Sequence, residues 1–174
     1  MLALAFAVFC WYGMQAVHEL GHAITAVLTG GRVERIVLPI AGFSRTDLAE
    51  NPRPLLTAWA GPVAGGAVPL LAFALLRVIP RGLRLWLIAE VTRSFAGFCL
   101  IANGAYIGLG WIDRIGDAGD LLRLGAPVWS LCLVGAFFIA GGLLLWHRGG
   151  ILPRSTPSPP KPAEKQRRSD ATRS

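Results

Sequence analysis

The 174-residue sequence predicts an all-α polytopic membrane protein of about four transmembrane helices, with a short β-hairpin between the first two. Three observations predict it. The chain is 53% hydrophobic and only 16% charged, with a mean hydropathy of +0.53, too apolar for an ordinary soluble domain. Its apolar residues gather into four runs, at about 2–28, 55–78, 85–109 and 128–146. Each is long enough to cross a hydrocarbon core of about 30 Å. Finally, five of the seven net positive charges fall within residues 148–174. That basic balance belongs to a tail beside a bilayer, so lipid is an expected partner and nucleic acid is not.

The first run is Leu2 to Leu28, and residues 1–17 carry no charge. A signal peptide would need a basic n-region, which is missing. Trp11 and Tyr12 fall in mid-segment and read as packing residues. Thr29-Gly30-Gly31 ends the helix, with glycine available for a left-handed cap. Arg32 to Pro54 is the most polar internal stretch, and its β-favouring core, Arg32 to Ile40 followed by Gly42 to Thr46, predicts one or two short strands at the membrane surface. A lone hairpin is marginal in water, so it must lean on the helices, and its edge could pair with an extended segment.

The second run, Leu55 to Val78, contains Ala60-Gly61-Pro62-Val63-Ala64-Gly65-Gly66. Gly61 and Gly65 make a small-residue face for close helix packing. Arg77 to Arg84 is a basic turn. The third run, Leu85 to Leu109, holds Glu90 and Arg93, spaced to pair on one helix face, and Asn103, whose buried amide needs partners that an extended substrate backbone would supply. Trp111 to Gly125 reads as a loop with three aspartates, Asp113, Asp117 and Asp120. The fourth run ends at Trp146-His147-Arg148, an interfacial anchor, so His147 is not expected to act as a ligand. Residues 1–148 form one core domain; 149–174, rich in Pro, Ser, Lys and Arg, cannot bury a core and are expected to be disordered. Cys10, Cys99 and Cys132 are far apart in apolar runs and imply no disulfide or cysteine metal site.

The chemistry-bearing stretch is Ala16 to Gly31, where His18, Glu19 and His22 form H-E-x-x-H. On a helix the two imidazoles stand one turn apart on one face and reach the same ion. Two neutral imidazoles with a carboxylate suit Zn²⁺ with an open position for water, and Glu19 is placed to take a proton from that water. Ionisable groups in an apolar segment are costly and point to function. A third protein ligand is wanted, and Asp113, Asp117 and Asp120 are all candidates.

Together these pieces resemble the site-2 proteases, intramembrane zinc metalloproteases, over roughly residues 10–125. His18-Glu19-Leu20-Gly21-His22 stands in the first core helix, Ala60 to Gly65 resembles the second helix's A-G-P-x-x-N, and Asn103 precedes an aspartate segment as in N-x-x-P-x-x-P-L-D-G-G. Gly65 replaces the usual Asn, and the prolines after Asn103 are missing, as in a divergent, minimal member. The register sets Asp117 to Leu122 against D-G-G-x-x-L. The resemblance therefore implies Zn²⁺ held by His18, His22 and Asp117, Glu19 as the catalytic base, and Asn103 and Gly61 as substrate-binding positions. It implies hydrolysis of peptide bonds in or near transmembrane segments of membrane proteins, in a multi-pass protein of the cell membrane. The alternatives are a non-proteolytic metal-binding adaptor or a small transporter. The resemblance places the metal near the cytosol, with both ends outside, whereas the positive-inside rule places both ends in the cytosol. A processed tail, or a segment upstream of Met1, would reconcile the two.

Overall fold

The structure, a computed structural model, describes residues 1–40, 42–79 and 83–148. The expectation for the 149–174 tail lies outside the described residues. In chain order the elements are α1 (Leu2–Leu28), β1 (Arg32–Val37), β2 (Arg45–Glu50), α2 (Pro54–Val78), α3 (Leu83–Leu109), α4 (Gly116–Arg123) and α5 (Val128–His147).

The end of α1 is fixed by glycine. Gly30 has φ +84°, and the turn closes with Gly31 N–H on the Ala26 carbonyl at 2.8 Å and Gly30 N–H on that of Val27 at 3.1 Å, a Schellman cap. The chain then enters β1, which pairs antiparallel with β2 in the register Arg35↔Asp47, Ile36↔Thr46 and Val37↔Arg45, with irregularities nearer Arg32. Arg35 Nε donates to Asp47 at 2.6 Å across the pair, and with Arg45 it holds the Asp47 carboxyl below its ordinary pKa. Such exposed pairs stabilise little. The hairpin leans on the helix before it, since Thr46 Oγ1 donates to Glu19 Oε2 at 2.6 Å.

Two kinds of helix contact build the bundle. Between α3 and α5 the backbones touch: a Cβ added at Gly135 would lie 2.5 Å from Gly108 Cα and 2.7 Å from the Gly104 carbonyl. In α1–α2 a Cβ at Gly21 would lie 2.5 Å from the Ala60 carbonyl. Close approach of this kind is how helices associate where lipid removes the hydrophobic drive. The Glu90–Arg93 pair forms on α3 at 2.9 Å, as the spacing predicts.

The stretch expected to be loop holds α4. Its Ala118 and Leu121 are fully buried in a cluster with Ala58 of α2, Ile107 of α3 and Leu131 of α5. A second Schellman turn, Ala126 N–H to the Leu121 carbonyl at 2.8 Å with Gly125 at φ +90°, ends it. The loop composition conceals a helix because tertiary burial supplies its stability.

Three described helices are long and apolar enough to cross a membrane: Pro54–Val78, Leu85–Leu109 and Val128–His147. Their large exposed side chains, such as Leu71, Leu75, Leu133 and Phe137, are apolar. The four spans expected thus include one, α1, that is long enough but carries Gln15, His18, Glu19 and His22, and these lower its apolarity.

Candidate metal centre

The buried polar residues of the bundle converge on one place. Glu19 is 2% exposed and Asn103 1%, and His18, His22 and Thr57 are buried with them. The second half of α1 brings the histidines, α2 brings Thr57 and Gly61, α3 brings Asn103 and Tyr106, and the first turn of α4 brings Asp117.

Each imidazole spends its Nδ1–H outward. His22 Nδ1 donates to the Thr57 carbonyl at 2.7 Å. His18 Nδ1 donates to Asn103 Oδ1 at 2.6 Å, and the amide is oriented by its own Nδ2, which donates to the Cys99 carbonyl at 2.9 Å. These acceptors fix both tautomers, so both Nε2 atoms carry lone pairs. The Nε2 atoms face each other at 3.1 Å. Asp117 completes the triangle, with Oδ2 at 2.8 Å from His18 Nε2 and Oδ1 at 3.3 Å from His22 Nε2.

Three electron-pair donors at this spacing repel one another unless a cation lies among them. Tetrahedral bonds of about 2.0–2.1 Å would set donors roughly 3.3 Å apart, and His18, His22 and Asp117 each offer a ligand atom within 4.8 Å of the others. The donor set fits Zn²⁺.

Of the three candidate aspartates, the structure brings only Asp117 to the histidines. Asp120 pairs with Arg123, and Asp113 lies exposed at the rim of a neighbouring cavity. Gly61, expected on the substrate, instead faces His22: a Cβ there would lie 2.1 Å from Nε2, so only glycine leaves the ring its place. Asn103 finds its partners within the protein, in His18 and Cys99. A Cβ at Gly65 would lie 2.6 Å from Asn103 Oδ1, so the Asn103 amide fills the space that the missing side chain at 65 leaves.

Two cavities meet at the centre. One, of about 390 Å³, is walled by the hairpin, α2 and α4 and is the more polar, with Arg45, Thr46, Asn51 and Asp120 on its wall. The other, of about 370 Å³, lies between α1 and α3 and is largely apolar, with Trp11, Met14, Phe43, Leu109 and Ile115. His18, Glu19, Ser44 and Tyr106 line both. Thr46, Thr57 and Tyr106 were not legible as site residues. Thr57 acts through its backbone carbonyl, which no sequence signal marks. The Tyr106 ring stands edge-on to His18, and its hydroxyl lies 3.3 Å from the Asp117 N–H, a role visible only once α4 is in place.

Comparison with curated proteins and with solved structures returns no match. The family model described as peptidase M50B-like matches residues 6–110, from α1 to the end of α3, and so includes His18, Glu19, His22, Gly61 and Asn103 but stops short of Asp117. With well over half of its length matched, and three helices apolar enough to span a bilayer, the chain is an integral membrane protein that belongs to the peptidase M50B-like family and is kin to the site-2 proteases.

Proposed function

We propose that this protein is a zinc-dependent intramembrane endopeptidase of the cell membrane, cleaving peptide bonds in or near the transmembrane segments of membrane proteins. One observation carries the reading: His18 Nε2, His22 Nε2 and the Asp117 carboxylate converge, while each Nδ1 faces an acceptor of its own, Asn103 Oδ1 or the Thr57 carbonyl. These three residues would hold Zn²⁺, which when bound supplies a Lewis acid for the carbonyl and lowers the pKa of water.

The chain's own residues do the rest. Thr46 occupies Glu19 Oε2, which leaves Oε1 to accept the proton of the attacking water and return it to the leaving nitrogen. Asn103 and Thr57 fix the two rings, the kind of support that keeps ligand geometry. The apolar cavity suits the side chains of an unwound membrane segment, and the polar one suits water. A helical substrate has to unwind, because its closed ladder hides the carbonyls. The hairpin's outer edge offers main-chain pairing to the extended form.

The reading includes α1 as a fourth span. Its 27 residues rise about 40 Å. Gln15, His18, Glu19 and His22 are turned inward, while Leu4, Val8, Phe9, Leu20, Ile24 and Val27 are exposed. Inward polarity and an apolar outside are what a site-bearing membrane helix requires.

The test is Glu19→Gln, with zinc content and cleavage of single-span peptides in liposomes measured together. The variant is expected to keep its zinc and lose about 10²–10⁴-fold in cleavage rate. Cleavage equal to the parent's would remove Glu19 as the base. Zinc without cleavage in the parent itself would favour the adaptor reading.

A further inference from the structure

Among the described residues, one buried side chain stands without partners. Gln15 is 2% exposed, and neither its Oε1 nor its Nε2 has a hydrogen bond. The other buried amide at this level, Asn103, is committed to His18 and Cys99. A carboxamide sealed away from water and left unpaired is costly, and each such group calls for an explanation.

Its position supplies one. Gln15 precedes His18 by three residues and Glu19 by four, so it shares their face of α1 one turn earlier. It lines the apolar cavity together with His18, Glu19 and Asn103. On that wall Glu19 is bonded to Thr46, and Asp113 sits at the exposed rim. Besides Ser44 and Tyr106, which line both cavities, that wall offers a candidate ligand the unpaired Gln15 carboxamide and apolar surface.

We infer that Gln15 binds the main chain of the substrate, an extended apolar peptide segment, on the apolar-cavity side of the bond to be cut. A carboxamide presents one acceptor and two donors, which complement the N–H and C=O of a peptide unit in extended form. Such a contact reads backbone and leaves side-chain choice to Trp11, Met14, Phe43 and their neighbours on the wall. It also gives a helix unwinding in an apolar place somewhere to put the backbone groups it exposes. This inference rests on the peptidase reading.

The test uses zinc-loaded parent protein and Gln15→Leu, with acetyl-trileucine hydroxamate as probe and analogues N-methylated at each peptide nitrogen in turn. One methylation site is expected to weaken binding to the parent by about tenfold, as does Gln15→Leu for the unmethylated probe. The variant should then bind methylated and unmethylated forms alike at that site, with zinc content unchanged. Binding of all probes by Gln15→Leu as by the parent would show that Gln15 is satisfied in some other way and would overturn the inference alone. A zinc-loaded parent that binds none of them would overturn the peptidase reading and this inference with it. Should Gln15→Leu fail to fold, Gln15→Met takes its place, and a methylation scan of the parent in which no site matters would also overturn the assignment.

Discussion

The α3–α5 contact and the α1–α2–α3 contact are both made with glycine, and they use it for opposite ends. Between α3 and α5, Gly104, Gly108 and Gly135 let one backbone lie against another. Around the candidate metal centre, Gly61 and Gly65 make room for side chains, the His22 ring and the Asn103 amide. The same residue type thus serves adhesion in one interface and chemistry in the other. Spacing does not separate them: Gly61 and Gly65 stand four apart, and so do Gly104 and Gly108.

Adding one methyl group at each place sharpens the contrast. Gly61→Ala puts a Cβ 2.1 Å from His22 Nε2. The ring is held by Thr57 and has to give up either that bond or its place at the centre, so zinc affinity is expected to fall by about a hundredfold. Gly65→Ala meets the Asn103 amide at 2.6 Å and acts one bond further out. About a tenfold loss of zinc affinity is expected, measured by competition with a chelator. Gly135→Ala presses on Gly108 instead. It should lower stability by about 1–3 kcal/mol through overpacking, read in thermal denaturation, and leave zinc affinity within twofold. Equal zinc loss in all three would erase the distinction between the two interfaces.

The same contrast marks what could be read in advance. Apolar runs gave the long helices nearly to the residue, and Gly30 announced the end of α1. His18, Glu19 and His22 were legible because helical periodicity alone places them together. From the residues alone Asp117 was one of three aspartates, and only the register of the resemblance singled it out; α4, which carries it to the histidines, is short, glycine-rich and held by burial of Ala118 and Leu121 against three other helices. Such a helix has no local signature strong enough to outweigh its loop composition. The length of α1 was legible, yet the polar residues it turns inward, Gln15, His18, Glu19 and His22, are those that reduce its apolarity. Gln15 carries a sequence signal of its own: it is a lone amide in an uncharged apolar run, one turn before the histidines.

The family match ends at residue 110, so Asp117 stands on geometry and on the register of the resemblance, and it is there that the candidate metal centre is tested most directly. The measurement is zinc content per chain of the detergent-purified parent beside Asp117→Ala and His22→Ala. Near-stoichiometric zinc in the parent, lost in both variants while each stays folded, is the predicted result. Zinc retained in full by Asp117→Ala would remove Asp117 from the centre, and a folded parent without zinc would leave His18 and His22 as buried interface residues and contradict the metalloprotease reading.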